Sequence, residues 1–371
     1  MRTSKDEASP DVAADEREAR LRHLRVVVAS DPIVTEPPPS SADAPDEDYV
    51  ILGRLFDTTY VDPKVAVRSR ASRAVARVTG NPAVVAFKAV RTARHADAII
   101  AMGDDVGLFI AAMKVALRSR TPFILICNHM RSRKARLLFG RLGLQRTVQR
   151  FLPCSTRIRE LLAGEYGVAR EEMDILYNTV DHRFFTVDTD RESPRQIASA
   201  GLTLRDFKTL LDATRDLDAD VKIEANSAWY DLPVNFTASD VHERVELCND
   251  GTTAGLREIY AASAIVVVPL VEVGEPAGNT TVLEGMAMGK AVVASDIEMG
   301  GDYIRPGETG FLVPPGDPAA LRACLVHLLD DEALRRRVGV AAREAVEAQF
   351  TRDHFAETIL TSVDAVTSRR G

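Results

Sequence analysis

The residues best suited to chemistry lie between Glu275 and Asp296. They read Glu275-Pro-Ala-Gly278-Asn279-Thr280-Thr281-Val-Leu-Glu284, then Gly-Met-Ala-Met-Gly289-Lys-Ala-Val-Val-Ala-Ser295-Asp296. The pattern predicts a loop that runs into a short helix, a turn and a buried strand. Gly278 removes a side chain where the loop must pass close to a neighbour. Asn279, Thr280 and Thr281 are capping types, and Val282, Leu283 and Met286 turn inward. Gly289 ends the helix, and Ala291-Val-Val-Ala294 enters a sheet. A helix start behind a glycine offers N–H groups that have no acceptor within the helix, which suits a phosphate or diphosphate. Glu284, in the first two turns, is awkward for phosphate alone but suits ribose hydroxyls. Phosphate and sugar together describe a nucleotide-sugar site. The plainer reading is a capped helix start whose acid gains ~0.3–1 kcal/mol from the helix dipole.

Other candidates stand at the ends of apolar runs. His129 follows Phe123-Ile-Leu-Ile-Cys127-Asn, at a strand's carboxyl end where site residues gather. Asp104 and Asp105 follow Ala98-Ile-Ile-Ala-Met102-Gly; they either cap the next helix or bind acceptor hydroxyls and orient the attacking one. Asp-x-Asp pairs at Asp188/Asp190, Asp216/Asp218 and Asp218/Asp220 fall in a hinge and at a helix end, so no metal site is expected. Residues 131–150 are strongly basic, and Leu137, Leu138, Leu142 and Leu144 can form one face of a helix. This is either a solvated surface or one that draws an anionic acceptor or anionic lipid.

These residues need a scaffold of alternating strands and helices. Short apolar runs of parallel-strand type recur at Arg25–Ala29, Ala98–Met102, Phe123–Cys127 and Met173–Tyr177, with helical patterns at 107–118 and 156–166. A second alternation has strands at Gln196, Val221, Val245, Ala264, Ala291 and Phe311, and helices at Phe207–Arg215, Thr253–Ala262 and Thr280–Met288. The polar, proline-containing stretch 187–194 reads as a hinge. The expected architecture is α/β: two Rossmann-like, doubly wound domains facing across a cleft. A disordered tail covers 1–22, an N-terminal domain 23–186 and a C-terminal domain 187–352. A chain of 371 residues with 46% apolar and 27% charged residues suits two soluble domains. Its net charge of −7 argues against general nucleic-acid binding. The scattered Cys127, Cys154, Cys248 and Cys324 suit reduced thiols rather than a zinc site. No run reaches the ~18 apolar residues of a membrane span, and the polar start is unlike a signal peptide. The expected location is cytoplasmic, with peripheral contact at the inner face of the membrane through 131–150.

Glu284-Gly-Met-Ala-Met-Gly289 resembles the second half of the motif of the retaining group 1 (family four) glycosyltransferases, which have the GT-B fold. Gly300-Gly-Asp-Tyr-Ile-Arg-Pro-Gly-Glu-Thr-Gly310-Phe-Leu-Val-Pro-Pro-Gly316 resembles that family's next loop and strand. Ile175-Leu-Tyr-Asn178-Thr-Val-Asp181-His-Arg-Phe184 is similar to the end of its first domain. The resemblance implies a metal-independent, cofactor-free retaining transferase that moves a hexose-type sugar from a UDP- or GDP-type donor to a small-molecule, glycan or lipid-linked acceptor. By the same resemblance Glu275 contacts the donor sugar, and Arg205, with Lys208, contacts the diphosphate. His129 faces the reacting sugar, and the last helix, 353–371, crosses back to the first domain. Glu275 stands one residue further from Glu284 than the family pattern has it, and the Arg205 loop is short. A nucleotide-sugar epimerase of the same fold and a catalytically inactive binding or regulatory subunit are the alternatives.

Overall fold

A computed structural model describes residues 20–31, 44–188, 190–225, 234–248, 250–272, 277–297 and 300–368. The expected disordered tail lies outside the described residues up to position 19. Leu21 departs from that expectation, being buried in a core. The described residues form two compact units, each built on a parallel sheet.

The first unit carries strands β1 (Arg25–Ser30), β2 (Asp57–Val61), β3 (Ala98–Met102), β4 (Phe123–Cys127) and β5 (Arg150–Pro153), in the order β2-β1-β3-β4-β5. Its helices are α1 (Asp48–Leu55), α2 (Arg70–Thr79), α3 (Asn81–Thr92), α4 (Asp104–Ala116) and α5 (Thr156–Tyr166). β4 is buried along its whole length, because helices cover both faces of a parallel sheet and leave no polar side. Gly107 brings α4 against the sheet: a Cβ there would lie 2.1 Å from a Leu125 methyl.

Two expectations change. Met173–Tyr177 is not a strand, and only Met173 bridges to Phe151. The basic stretch is not one helix. It breaks into a turn of α-helix at Arg133–Ala135, a π-helical turn at Arg136–Arg141 and a 3-10 turn at Leu144–Thr147, and then enters β5. Phe139 anchors it edge-on to Phe151 and Tyr166.

The second unit carries β6 (Ser193–Ala200), β7 (Asp220–Glu224), β8 (Val245–Cys248), β9 (Ser263–Val268), β10 (Ala291–Ser295) and β11 (Phe311–Val313), in the order β11-β10-β9-β6-β7-β8. Helices α6 (Phe207–Thr214), α7 (Thr253–Ala262), α8 (Asn279–Ala287), α9 (Pro318–Asp330) and α10 (Glu332–Gln349) flank it. The order runs outward from β6 through β8, returns to β9 beside β6, then runs outward the other way. The β6/β9 junction is therefore a topological switch point, where loops diverge and leave room for a ligand.

The units divide between Leu176 and Tyr177, ahead of the polar 187–194 stretch. Packing explains this: Val180, Phe184 and Phe185 are buried in the second unit's core, and the Val180 N–H donates to the Phe350 carbonyl at 2.8 Å. The polar stretch instead leads straight into β6. The last helix, α11 (Arg352–Thr367), belongs to the first unit from Phe355 onward. It buries Phe355, Ile359 and Val363 there, as expected.

Candidate functional site

At the switch point, helix α8 begins behind Gly278, whose φ of +77° is left-handed. A Cβ at Gly278 would also lie 2.8 Å from a Val268 methyl, so both backbone and packing require glycine. Gly278 itself holds the N-cap position and no side chain caps the helix. Asn279, Thr280 and Thr281 are therefore the first helical residues rather than caps. Helix geometry leaves their N–H groups without intrahelical acceptors, and the macrodipole makes that end positive. Asn279 is half-buried, Thr280 exposed and Thr281 buried.

Arg205 lies on the loop after β6 and is 8% exposed. Its Nε donates to the Ala200 carbonyl at 2.7 Å, Nη1 to the Thr203 carbonyl at 3.0 Å and Nη2 to Thr281 Oγ1 at 2.8 Å. Three of the five guanidinium N–H groups thus fix its orientation. Gly201, at φ +95°, makes the fold-back possible, since a Cβ there would sit 2.6 Å from Nη2. Leu204 takes a left-handed φ of +57°, and this loop is stitched to the end of β9: Val271 N–H donates to the Leu204 carbonyl, and Asp206 N–H to that of Pro269. Ser295, ending β10, accepts the Leu270 N–H at 2.8 Å. Burial pulls the Arg205 guanidinium down to about 10, against the opposing pull of Tyr260 and Glu284. It remains charged at neutral pH.

Glu284 is also 8% exposed, set deeper than a surface helix acid. Tyr260, fully buried on α7, donates its O–H to Glu284 Oε2 at 3.2 Å. Burial first, then the Glu284 charge, raises the Tyr260 pKa well above its ordinary value, so the phenol keeps its proton. Arg205, Thr281, Tyr260 and Glu284 thus form one buried polar group at the carboxyl edge of β6 and β9. Tyr260 and Gly201 lie outside the motifs; their only signals in the sequence are a lone tyrosine in an apolar helix pattern and a glycine just after a strand.

Lys208 is placed otherwise. On α6 its Nζ meets Asp212 at 2.5 Å and Asp240 at 3.6 Å, and the Asp212 carboxylate raises its pKa. It belongs to a surface ion-pair set. Glu275 lies outside the described residues.

On the first unit's sheet, Asp104 opens α4 and reaches the loop after β4. It accepts the N–H groups of Asn128 at 3.1 Å, His129 at 2.7 Å and Met130 at 3.3 Å. Burial raises its pKa and these three donors oppose the rise. Asp104 therefore holds the loop after β4, by way of three backbone donors. Met130, at φ +49°, is buried and takes the Tyr166 O–H on its carbonyl at 2.6 Å. The imidazole of His129 is exposed on this fixed loop. Asp105 pairs with Lys134 at 3.1 Å. Burial, with Asp105 nearby, raises the pKa of Asp31 after β1. Among the described residues no cluster of three metal-ligating side chains occurs.

Comparison with known proteins shows what the chain is similar to. Residues 205–331 match the family described as Glycosyl transferases group 1. The chain is 35% identical over 109 residues to a phosphatidyl-myo-inositol mannosyltransferase of Mycobacterium leprae, covering 29% of each protein. It is 38% identical over 114 residues to an alpha-maltose-1-phosphate synthase of Mycolicibacterium smegmatis, again 29% of each. The chain thus matches under a third of either relative. Among solved structures, HepE of Anabaena in complex with UDP superposes with a TM-score of 0.66 at 15% identity, covering 92% of this chain and 100% of that one. The sucrose-phosphate synthase of Thermosynechococcus elongatus does so with a TM-score of 0.67 at 16% identity, covering 98% and 94%. At such identities the likeness concerns the fold. Residues 205–331 are thus similar to the group 1 glycosyltransferases, and the chain has the GT-B fold.

Proposed function

We propose that this chain is a nucleotide-sugar-dependent glycosyltransferase. The observation that carries the reading is the buried polar group at the switch point of the second sheet. A positive helix end, an oriented guanidinium and a carboxylate one turn further on match, in order, a diphosphate and a ribose. The diphosphate meets the N–H groups of 279–281 and the two remaining N–H groups of Arg205; Glu284, steadied by Tyr260, takes the ribose hydroxyls. The relatives support this reading: HepE is described in complex with UDP-glucose, and the Mycobacterium leprae protein is named a mannosyltransferase.

The proposed reaction is transfer of a hexose-type sugar with retention. The acceptor oxygen bonds to the anomeric carbon on the face from which the diphosphate departs, the carbon–oxygen bond to phosphate breaks, and the acceptor proton passes to the leaving phosphate. Arg205 and the helix end stabilise the charge gathering on that phosphate, the work a divalent metal does elsewhere. The family resemblance supports Glu275 at the donor sugar and His129 facing the reacting sugar.

Calorimetric titration of UDP and GDP into the full chain, with and without a chelator, tests the binding half. The expected result is binding of one nucleotide at an affinity the chelator leaves unchanged; binding of neither removes the donor reading. A panel of nucleotide sugars with and without acceptors tests the chemistry. Conversion to an epimer without an acceptor would replace the transferase by an epimerase, and binding without turnover would leave a regulatory subunit.

A further inference from the structure

Between Pro63 and Arg159 the sequence holds twenty lysines and arginines against three aspartates and no glutamate, in a chain of net charge −7. All three acids are engaged by groups of the chain itself. Asp97 accepts the Arg25 N–H at 2.8 Å, Asp104 holds the 128–130 loop, and Asp105 pairs with Lys134. The helices of this stretch form one layer over the first sheet: α2 packs on α3, α3 on α4, and α4 on the turns of 136–147.

Every exposed large apolar side chain among the first unit's described residues lies on this layer: Val75, Val78, Phe87, Val115, Leu137 and Leu142. Helix α2 shows the design most plainly. A capping box at Ser69 and Ser72 starts it and no residue of it is buried. Only Ser72 and Ala76 turn partly inward. Helical spacing puts Ala71, Val75 and Val78 on one open stripe and Arg70, Arg73 and Arg77 on another. Two of the layer's cations also lie over rings, Arg91 at 5.7 Å from Phe87 and Lys134 at 5.7 Å from Phe109.

We propose that this layer is a docking surface for an anionic lipid bilayer. Headgroup phosphates meet the arginines, and the valines, leucines and Phe87 enter the boundary between headgroups and acyl chains. The interleaved apolar side chains favour lipid over nucleic acid, because a polynucleotide backbone offers no apolar phase at that depth. No helix among the described residues is long and apolar enough to cross a membrane, so the contact is peripheral. The proposal extends beyond residues 131–150 to α2 and α3, and it stands independently of the donor reading.

Co-sedimentation of the full chain tests it, using vesicles of phosphatidylcholine alone and of equal parts phosphatidylcholine and phosphatidylglycerol. We expect at least tenfold stronger binding to the anionic vesicles, falling with salt as exposed charges are screened. The double substitution Val75→Asp with Val78→Asp should weaken that binding at least tenfold and leave thermal unfolding unchanged, since both side chains are exposed. Arg141→Glu with Arg146→Glu, at the other end of the layer, should weaken it too. Equal binding to neutral and anionic vesicles overturns the proposal. So does wild-type binding by the valine variant. Tighter capture of duplex DNA than of vesicles, indifferent to the valine changes, would make this a nucleic-acid surface instead.

Discussion

The carboxyl edges of the two sheets use the same device to different ends. On each, a polar side chain just past a strand reaches across to the segment after a neighbouring strand, and a non-glycine residue with positive φ goes with it: Leu204 beside Arg205, and Met130 on the loop that Asp104 holds. Such backbone costs on the order of 1–3 kcal/mol and persists only where surroundings over-determine it. On the second sheet the reaching group is a cation whose partners leave part of its donor set available, and it adjoins a positive helix end. On the first sheet it is Asp104, whose carboxylate takes three backbone N–H groups. One edge therefore holds an oriented guanidinium beside a positive helix end, and the other holds a rigid loop that displays an exposed histidine. The difference separates a polar side chain with donors to spare from one whose acceptors are taken up by the backbone it holds.

Arg205→Met should give the largest effect. It removes the guanidinium from the Ala200 and Thr203 carbonyls and from Thr281, and with it the charge that faces a departing diphosphate. Loss of a preorganised donor of this kind costs about 10²–10³ in turnover, to be read from steady-state rates with a nucleotide sugar. Arg205→Lys should recover little, because an ammonium cannot reach three separate acceptors in a plane. The wild-type affinity for a nucleotide sugar should stay flat from neutrality upward and fall only as pH nears about 10, where the depressed guanidinium begins to lose its proton. An affinity that falls through neutral pH would assign the binding charge to another group.

Glu284→Ala comes next. Hydrogen bonds to a charged acceptor contribute roughly 1.5–3 kcal/mol, so nucleotide affinity measured by calorimetry should drop at least tenfold in a folded protein. An unchanged affinity would show that the carboxylate serves the buried network alone. Asp104→Asn breaks the comparison from the other side. It should lower the first unit's stability to denaturant by about 1.5 kcal/mol, the low end of that range because burial already disfavours the charge. Nucleotide affinity should not change. Loss of affinity without loss of stability would return Asp104 to the reacting groups.

Much of the second unit was legible because its signals are local. Its central strands β9 and β10 are short, fully buried apolar runs, helix α7 spans the predicted Thr253–Ala262, and Gly278 and Gly289 bracket α8 as glycine chemistry requires. Arg205 and Glu284 were legible through one linear motif and a family spacing. The partnership between Arg205 and Thr281 was not, since seventy-six positions separate them and only the β6/β9 adjacency brings them together. The role of Asp104 was hidden for the same reason: its partners lie on the next strand's loop, and two adjacent acids before a helix look alike whether they bind a ligand or a backbone. In the first unit β2 escaped notice because Asp57-Thr-Thr-Tyr-Val61 is a half-exposed edge strand, not a buried run. Polarity is a poor mark of the boundary between the units, because Phe184 and Phe185, ahead of the polar 187–194 stretch, are already packed in the second core.

The smallest expected effect belongs to Tyr260→Phe, and it sharpens the comparison most. The substitution keeps the ring and its packing near Phe185, at 6.4 Å between centroids, and deletes only the hydroxyl that donates to Glu284 Oε2. At 3.2 Å this is a long bond, so its loss should amount to about 1 kcal/mol, a fewfold weakening of nucleotide affinity with the fold intact. If Tyr260 acts by orienting Glu284 toward ribose, that weakening should vanish in a Glu284→Ala background, because the group it orients is gone. If the two effects add instead, Tyr260 stabilises the second unit on its own account. The first outcome marks the switch-point group as a relay in which each member positions the next; the second reduces it to neighbours that share a buried space.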